Sequence, residues 1–267
     1  MNSKLKNILV LTSTFPINNE DGVPSFVKDQ IISLKKYDPE LNFTIIAPSY
    51  GSDKAVIDDR FVQLRYRYFI SQFENLTKNG ILPTIKNNFL YLFVVPFFII
   101  FQIKFTLKTV RKIKPDIVYA HWVTPQAITA LIVKKVLKTP YVFTTHAHDA
   151  EILGKIPFIG KKILNSIVLN SSKFTSVSIN TEMKLKKLIK PSIWNENKSL
   201  VFPMGIRNTL FESCEEEGIE NINKNEKLKF TFIGRFSEKK GVEKLINSFA
   251  NLLNNKDNLE LIICGSG

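Results

Sequence analysis

Cysteine and histidine are nearly absent from this sequence. Two cysteines, Cys214 and Cys264, and three histidines, His121, His146 and His148, supply all its thiol and imidazole. No CxxC pair and no Cys/His cluster with zinc spacing occurs, which excludes a disulfide framework and a structural zinc site as the basis of the fold. Two isolated thiols fit a reducing cytosol. Glycine is sparse, 11 in 267 residues. None of it builds GxGxxG or GxxxxGK[ST], so the dinucleotide fingerprint and the P-loop are both missing. The first apolar run, inside MNSKLKNILVLTSTFP, is short and has no small-residue cleavage site. It reads as a strand and not as a secretion signal.

Acidic residues are also in deficit. There are 37 Lys and Arg against 24 Asp and Glu, a net charge of +13. From Met1 to Gly205 the count is 28 basic to 14 acidic, whereas 206–225 is net acidic, with 2 basic against 5 acidic. Such an excess implies an anionic partner: nucleic acid, an acidic membrane surface or a phosphorylated ligand. The basic residues are spread over many helical stretches and are not interleaved with aromatics on one strand face. No recognition motif is present, so nucleic acid is set aside.

What is abundant is short β-branched and aromatic runs separated by helical ones. NILVLTSTF (7–15), NFTIIAPS (42–49), FVQLRYRYF (61–69), DIVYAHW (116–122), YVFTTHA (141–147), KFTSVSIN (173–180) and SLVFPMG (199–205) read as strands. Helical stretches at 25–36, 125–138, near 158–170 and at 181–190 lie between them. This alternation predicts an α/β protein with a parallel sheet covered on both faces. Residues 206–225 are polar and aperiodic, as in a linker. The pattern then restarts with LKFTFIGRF (228–236), GVEKLINSFANLL (241–253) and LELIICGSG. The domains expected are 1–205, a linker at 206–225, and the opening of a second domain at 226–267, too short to bury its own core.

The most apolar stretch, FLYLFVVPFFIIF (Phe89–Phe101), is 13 residues long. A bilayer span needs roughly 20. Lys104, Lys108, Arg111, Lys112 and Lys114 follow it. Segment 83–114 therefore suits a helix lying on an anionic membrane surface, and equally a core helix with solvated lysines at its end.

Three stretches carry residues suited to chemistry. Gly22 lies in the loop after the first strand, and Asp21 or Ser25 is placed to cap the helix that follows, whose N-terminus is a natural phosphate site. In TTHAHDAEIL, His146 and His148 share a face of extended backbone. The HxHD spacing lacks the intervening residue and the extra histidine of a metal site, so no metal is expected. His146 stands out because it ends a parallel strand, the edge where open α/β sheets bind ligands. His148 and His121 read equally well as structural. In IGRFSEKKGVEKLI, Gly234 ends a strand and Gly241 opens a helix, with Arg235 and Lys240 between. Guanidinium, ammonium and helix dipole can converge there on one diphosphate, and the same residues read equally well as a solvated charged turn.

Taken in order, FP…G…FV, THAHD, PMGI, GRFSEKKG and LIICGSG resemble the retaining glycosyltransferases of family 4, from about residue 7 to the last residue. The resemblance implies the GT-B fold, two Rossmann-like domains, the second only partly present. It implies that Gly22, Gly234, Arg235, Lys240 and Gly265 bind a nucleotide-diphosphate sugar. It implies that His146 hydrogen-bonds the transferred sugar, and that Asp149 and His148 are structural or acceptor-facing. Arg235 and Lys240 would stabilise the leaving diphosphate without a metal or other cofactor. The acceptor would be a glycan or a lipid-linked precursor. The protein would be cytoplasmic, peripheral at the inner face of the membrane. Ala147 replaces the family's glycine, and Ile206-Arg207 replaces its Val-Asp. The resemblance places the family's Glu-x7-Glu motif further along the second domain, beyond Gly267. These 267 residues alone are therefore expected to show little or no transfer. The alternative is a non-catalytic module that binds membrane, glycan or a partner chain.

Overall fold

The computed structural model describes residues 5–17, 23–50, 56–78, 80–146, 149–205, 227–236, 238–253 and 258–266. The expected linker at 206–225 lies outside these residues. The chain forms two compact units, Met1–Arg207 and Asn208–Gly267.

The first unit is built on an eight-stranded sheet. Its strands are β1 (Asn7–Leu11), β2 (Asn42–Pro48), β3 (Val56–Ile57), β4 (Phe61–Tyr66), β5 (Ile117–His121), β6 (Tyr141–Thr145), β7 (Lys173–Ser176) and β8 (Ser199–Val201). The order is β3-β4-β2-β1-β5-β6-β7-β8, parallel throughout except for β3 against β4. β1 is central, with Val10 registered against Ile45 on one side and Tyr119 on the other.

Strand alternation builds two cores. Leu9 and Leu11 enter one apolar cluster, while Val10 between them enters the other. On β2, Phe43, Ile45 and Ala47 join Val10, and Ile46 points to the opposite side. Such two-faced burial is why these strands read as continuous apolar runs. Helix α1 (Phe26–Tyr37) covers one face with Val27 and Ile31. The other face is covered by α3 (Tyr91–Ile113), α4 (Ile128–Leu137), α5 (Asp149–Gly154), α6 (Gly160–Asn170) and α7 (Ile179–Leu188). A short helix, α2 (Ile81–Asn87), precedes α3.

The observed strands stop earlier than the sequence reading placed them, at Leu11, His121, Thr145 and Ser176. Beyond those points the chain turns into the loops at the carboxyl edge of the sheet. Ser25 does not cap α1. It has helical dihedrals, and its hydroxyl donates to Asp29 Oδ2 at 2.7 Å, one turn along. A capping side chain normally sits on extended backbone, facing the free amides of the first turn. Asp21 lies outside the described residues.

α3 runs twelve residues beyond the apolar run Phe89–Phe101 and is long and apolar enough to cross a membrane by length and composition. Val94, Phe98, Gln102, Thr106, Thr109 and Val110 are nevertheless buried inside the first unit. A helix packed along one whole side into a domain is part of that domain, so the question is what its other side faces.

The second unit holds β9 (Leu228–Ile233), α8 (Val242–Leu253) and β10 (Leu259–Cys264), with the two strands parallel. No described residue of this unit is buried.

Candidate active site

The strand order reverses direction at β1. From β1 the chain passes through α1 to β2 on one side, while β5 lies on the other. Ligands of open α/β sheets bind in the crevice outside the carboxyl ends of the strands at such a reversal. A cavity of about 360 Å³ opens there. Ser13 and Thr14 line it after β1, Trp122 and Thr124 after β5, and His146 and Asp149 after β6. The far wall is Gly80 to Pro83, at the start of α2, with Ile152 beside it.

His146 is 9% exposed. Its ring lies against Trp122 at 4.7 Å between centroids and against Phe26 at 5.5 Å. Burial pulls its pKa down to about 4. At neutral pH the imidazole is therefore uncharged, suited to hydrogen-bonding a sugar hydroxyl and unsuited to holding an anion. His146 Nε2 faces Nδ1 of His121 at 3.4 Å. His121 is fully buried, with its pKa pushed well below the usual value by burial and then by His146.

Asp149 is buried and accepts four hydrogen bonds. Oδ2 receives Val123 N at 2.7 Å and His146 N at 3.2 Å; Oδ1 receives Thr145 Oγ1 at 2.6 Å and Ala150 N at 2.8 Å. Burial pushes its carboxyl up, opposed by these four donors. The residue thus ties the turn after β5 to the turn after β6 and sets the position of His146. Its oxygens are spent on the protein, which makes it a positioning residue.

Sequence reasoning missed four contributors. Trp122 holds φ +76°, a costly conformation for a bulky residue, and so projects into the cavity from the end of β5. The buried Arg65 donates to Pro48 O at 2.7 Å and Phe15 O at 2.6 Å, bracing the loop after β1. The hydroxyl oxygens of Thr77 and Thr124 are buried in the cavity wall with no hydrogen-bond partner among the described residues. A buried hydroxyl without a partner costs about 1–3 kcal/mol. No local pattern marks these residues, because each owes its place to the strand order.

In the second unit, Gly234 N donates to Cys264 O at 3.0 Å and Phe236 N to Ser266 O at 2.9 Å. The strand ends are therefore clasped at Gly265, where an added Cβ would sit 1.9 Å from Gly234 O. Gly241 takes φ +68° and turns the chain into α8. Arg235 and Lys240 are exposed on the loop that leads to this helix N-terminus. The structure thus places His146 and Asp149 together in the first unit and Gly234 and Gly265 together in the second, with Arg235 and Lys240 exposed on the loop that follows Gly234. Gly22 and His148 lie outside the described residues. No group of three His, Cys, Asp or Glu among the described residues is arranged to hold a metal ion.

Two family models match the chain, "Glycosyl transferase 4-like" over residues 96–178 and "Glycosyl transferases group 1" over residues 215–267. The chain carries glycosyltransferase-family sequence on a GT-B-type fold. Among curated proteins, "Putative teichuronic acid biosynthesis glycosyltransferase TuaC" of Bacillus subtilis (strain 168) is 26% identical over 279 residues. That match covers 97% of this chain and 65% of the relative's length. Among solved structures, the E. coli trehalose-6-phosphate protein bound with UDP-2-fluoro glucose superposes with TM-score 0.66 at 12% identity. It covers 98% of this chain and 65% of the other. The N-terminal domain of Candida albicans trehalose-6-phosphate phosphatase gives TM-score 0.68 at 14% identity, covering 100% of this chain and 66% of the other.

Proposed function

We propose that the protein is a retaining glycosyltransferase of family 4. It moves a sugar from a nucleotide-diphosphate sugar to a hydroxyl of a cell-surface polysaccharide or lipid-linked precursor. The observation that carries this is the cavity at the strand-order reversal, which offers the neutral imidazole of His146 to a polyhydroxylated ligand. Retention rests on the THAHD and GRFSEKKG resemblance. The polysaccharide setting rests on the likeness to TuaC.

In this reading His146 hydrogen-bonds the transferred sugar. Arg235 and Lys240 bind the diphosphate and stabilise its charge as the bond from the anomeric carbon to phosphate oxygen breaks. The anomeric carbon then bonds to the acceptor oxygen, and the acceptor's proton leaves with the diphosphate. Gly234 and Gly265 keep the strand ends bare for the nucleotide, and Gly22 does the same after β1. No metal takes part. The protein works in the cytoplasm at the inner face of the membrane, held there by the basic segment 83–114.

The test is transfer of labelled sugar by the whole protein, offered a panel of nucleotide-diphosphate sugars and a membrane extract as acceptor. His146→Ala and the double variant Arg235→Ala/Lys240→Ala are each expected to lose about 100-fold or more in rate, the scale of removing one transition-state hydrogen bond or charge. The double variant should also weaken binding of the free nucleoside diphosphate in calorimetry. Rates within twofold of wild type in both variants would overturn the assignment. Nucleotide binding with no turnover in wild type would instead support a non-catalytic module.

A further inference from the structure

His121 is a buried titratable side chain at the edge of the cavity, and the transfer chemistry has so far given it no part. Strand pairing sets it, as the last residue of β5, opposite Thr144, two residues before His146. Its ring lies against Tyr119 at 4.4 Å between centroids, with Trp122 at 6.2 Å. The Tyr119 hydroxyl is engaged elsewhere: it is bonded to Thr144 Oγ1 at 2.7 Å and accepts from Gln30 Nε2 at 3.3 Å. Among the described residues, the His121 ring therefore has one hydrogen-bonding neighbour, Nε2 of His146, 3.4 Å from its Nδ1. Nε2 of His121 is buried and bonded to no described residue.

This arrangement decides which ring supplies the shared proton. A neutral imidazole has one N–H and one bare nitrogen, and the bond made at one nitrogen sets the state of the other. If His146 were the donor, His121 would carry its own proton on Nε2, as a buried N–H without an acceptor. If His121 donates from Nδ1, the buried Nε2 is a lone pair, and unpaired acceptors are better tolerated in protein interiors than unpaired N–H groups. His146 then accepts at Nε2 and holds its proton on Nδ1. No described residue bonds that nitrogen, and the side chain lines the cavity. An isolated imidazole in water prefers the opposite form, with the proton on Nε2, so His146 needs His121 to keep this one.

We propose that His121 is a positioning residue that fixes His146 as a hydrogen-bond donor to the cavity's ligand and closes off its use as a base. His121 itself touches nothing that reacts. It occupies the one lone pair through which His146 could take up a proton. His146 thus meets a sugar oxygen through an N–H and does not abstract the acceptor's proton, in keeping with that proton leaving on the diphosphate. The word sugar rests on the transferase reading; the tautomer rests on the two facing nitrogens.

Nitrogen-15 NMR of the whole protein, labelled in its three histidines, reads the tautomer at neutral pH with no donor or acceptor present. His146→Asn assigns the signals. Wild type is expected to show His146 with its proton on Nδ1 and a bare Nε2. His121→Phe keeps a flat ring but removes the donor, and the His146 proton should move to Nε2. His121→Asn, whose amide N–H reaches the place of Nδ1, should hold it on Nδ1. In sugar transfer, His121→Phe is expected to lose about tenfold or more in kcat, with KM for the nucleotide sugar changed by no more than about threefold, and His121→Asn to recover most of that loss. A wild-type His146 proton on Nε2 would overturn the proposal, as would a proton that stays on Nδ1 in His121→Phe. Equal kcat losses in the two variants would overturn it as well, since packing alone would then explain them. Should His121→Phe fail to fold, the wild-type and His121→Asn spectra still decide. Wild type with the expected tautomer but no transfer from any donor would sink the transferase reading and leave the control of His146 by His121 standing.

Discussion

Nδ1 of His121 lies 3.4 Å from Nε2 of His146, and the opposite nitrogen of His121 is buried with no hydrogen-bond partner among the described residues. Two neutral rings at this distance share one proton. The bare nitrogen of His121 is less costly to bury as a lone pair than as an unpaired N–H. That favours His121 as donor and leaves His146 protonated on Nδ1. The last residue of β5 therefore selects the tautomer of a residue just beyond β6.

The pair makes stability depend on pH. An unfolded histidine titrates near 6.5, whereas folded His146 titrates at about 4 and His121 well below its usual value. Between these values the unfolded chain binds protons that the folded chain refuses, so stability rises with pH. The contribution is complete above about pH 6.5 and is lost progressively as pH falls towards 4. Denaturant unfolding at half-unit steps measures it. Subtracting the same curve for His146→Asn removes the effect of other groups, Asp149 included. A flat difference between pH 4 and 6.5 would refute the assignment.

Asp149 should matter more for structure than its place in the cavity suggests. Asp149→Ala leaves three backbone amides and the Thr145 hydroxyl without an acceptor, all buried. The expected loss is about 3–5 kcal/mol in unfolding free energy. Asp149→Asn keeps one acceptor oxygen and turns an N–H₂ group on the other two donors, so it should rescue only part. A loss under 1 kcal/mol for the alanine variant would show that the turns hold by other means.

Gly265→Ala should open the carboxyl ends of β9 and β10. The methyl group would collide with Gly234 O, and that atom is backbone and cannot rotate away. The bonds Gly234 N to Cys264 O and Phe236 N to Ser266 O should break first. Hydrogen exchange at Gly234 and Phe236 is expected to speed up by about tenfold or more, with weaker binding of a nucleoside diphosphate. Unchanged protection would mean that the strand ends part without cost.

Much of this could be read along the chain. Alternating runs such as NILVL and NFTIIAP announce strands buried on two faces, and each major strand and helix inferred from them is present. His146 was singled out because it closes such a run. Short elements with weak periodicity escaped: β3, α2 and α5 are two, seven and six residues long. Segment 83–114 read as a helix, but neither the break at 88–90 between α2 and α3 nor which residues would be covered could be seen.

The sequence by itself determined the α/β class, the strand and helix segments, the excess of cations and the loops that carry His146, Arg235 and Lys240. These depend on local periodicity and composition, which a reader of the chain can see. The tertiary structure alone decided that β1 sits between β2 and β5, so that Thr14, Trp122 and His146 meet in one cavity. It alone paired His121 with His146, spent Asp149 on four backbone and hydroxyl donors, and buried one side of α3 while leaving its apolar and basic residues outward. Such choices are made by packing between residues far apart in the chain, where the free energy belongs to the contact and not to either partner's neighbours in sequence.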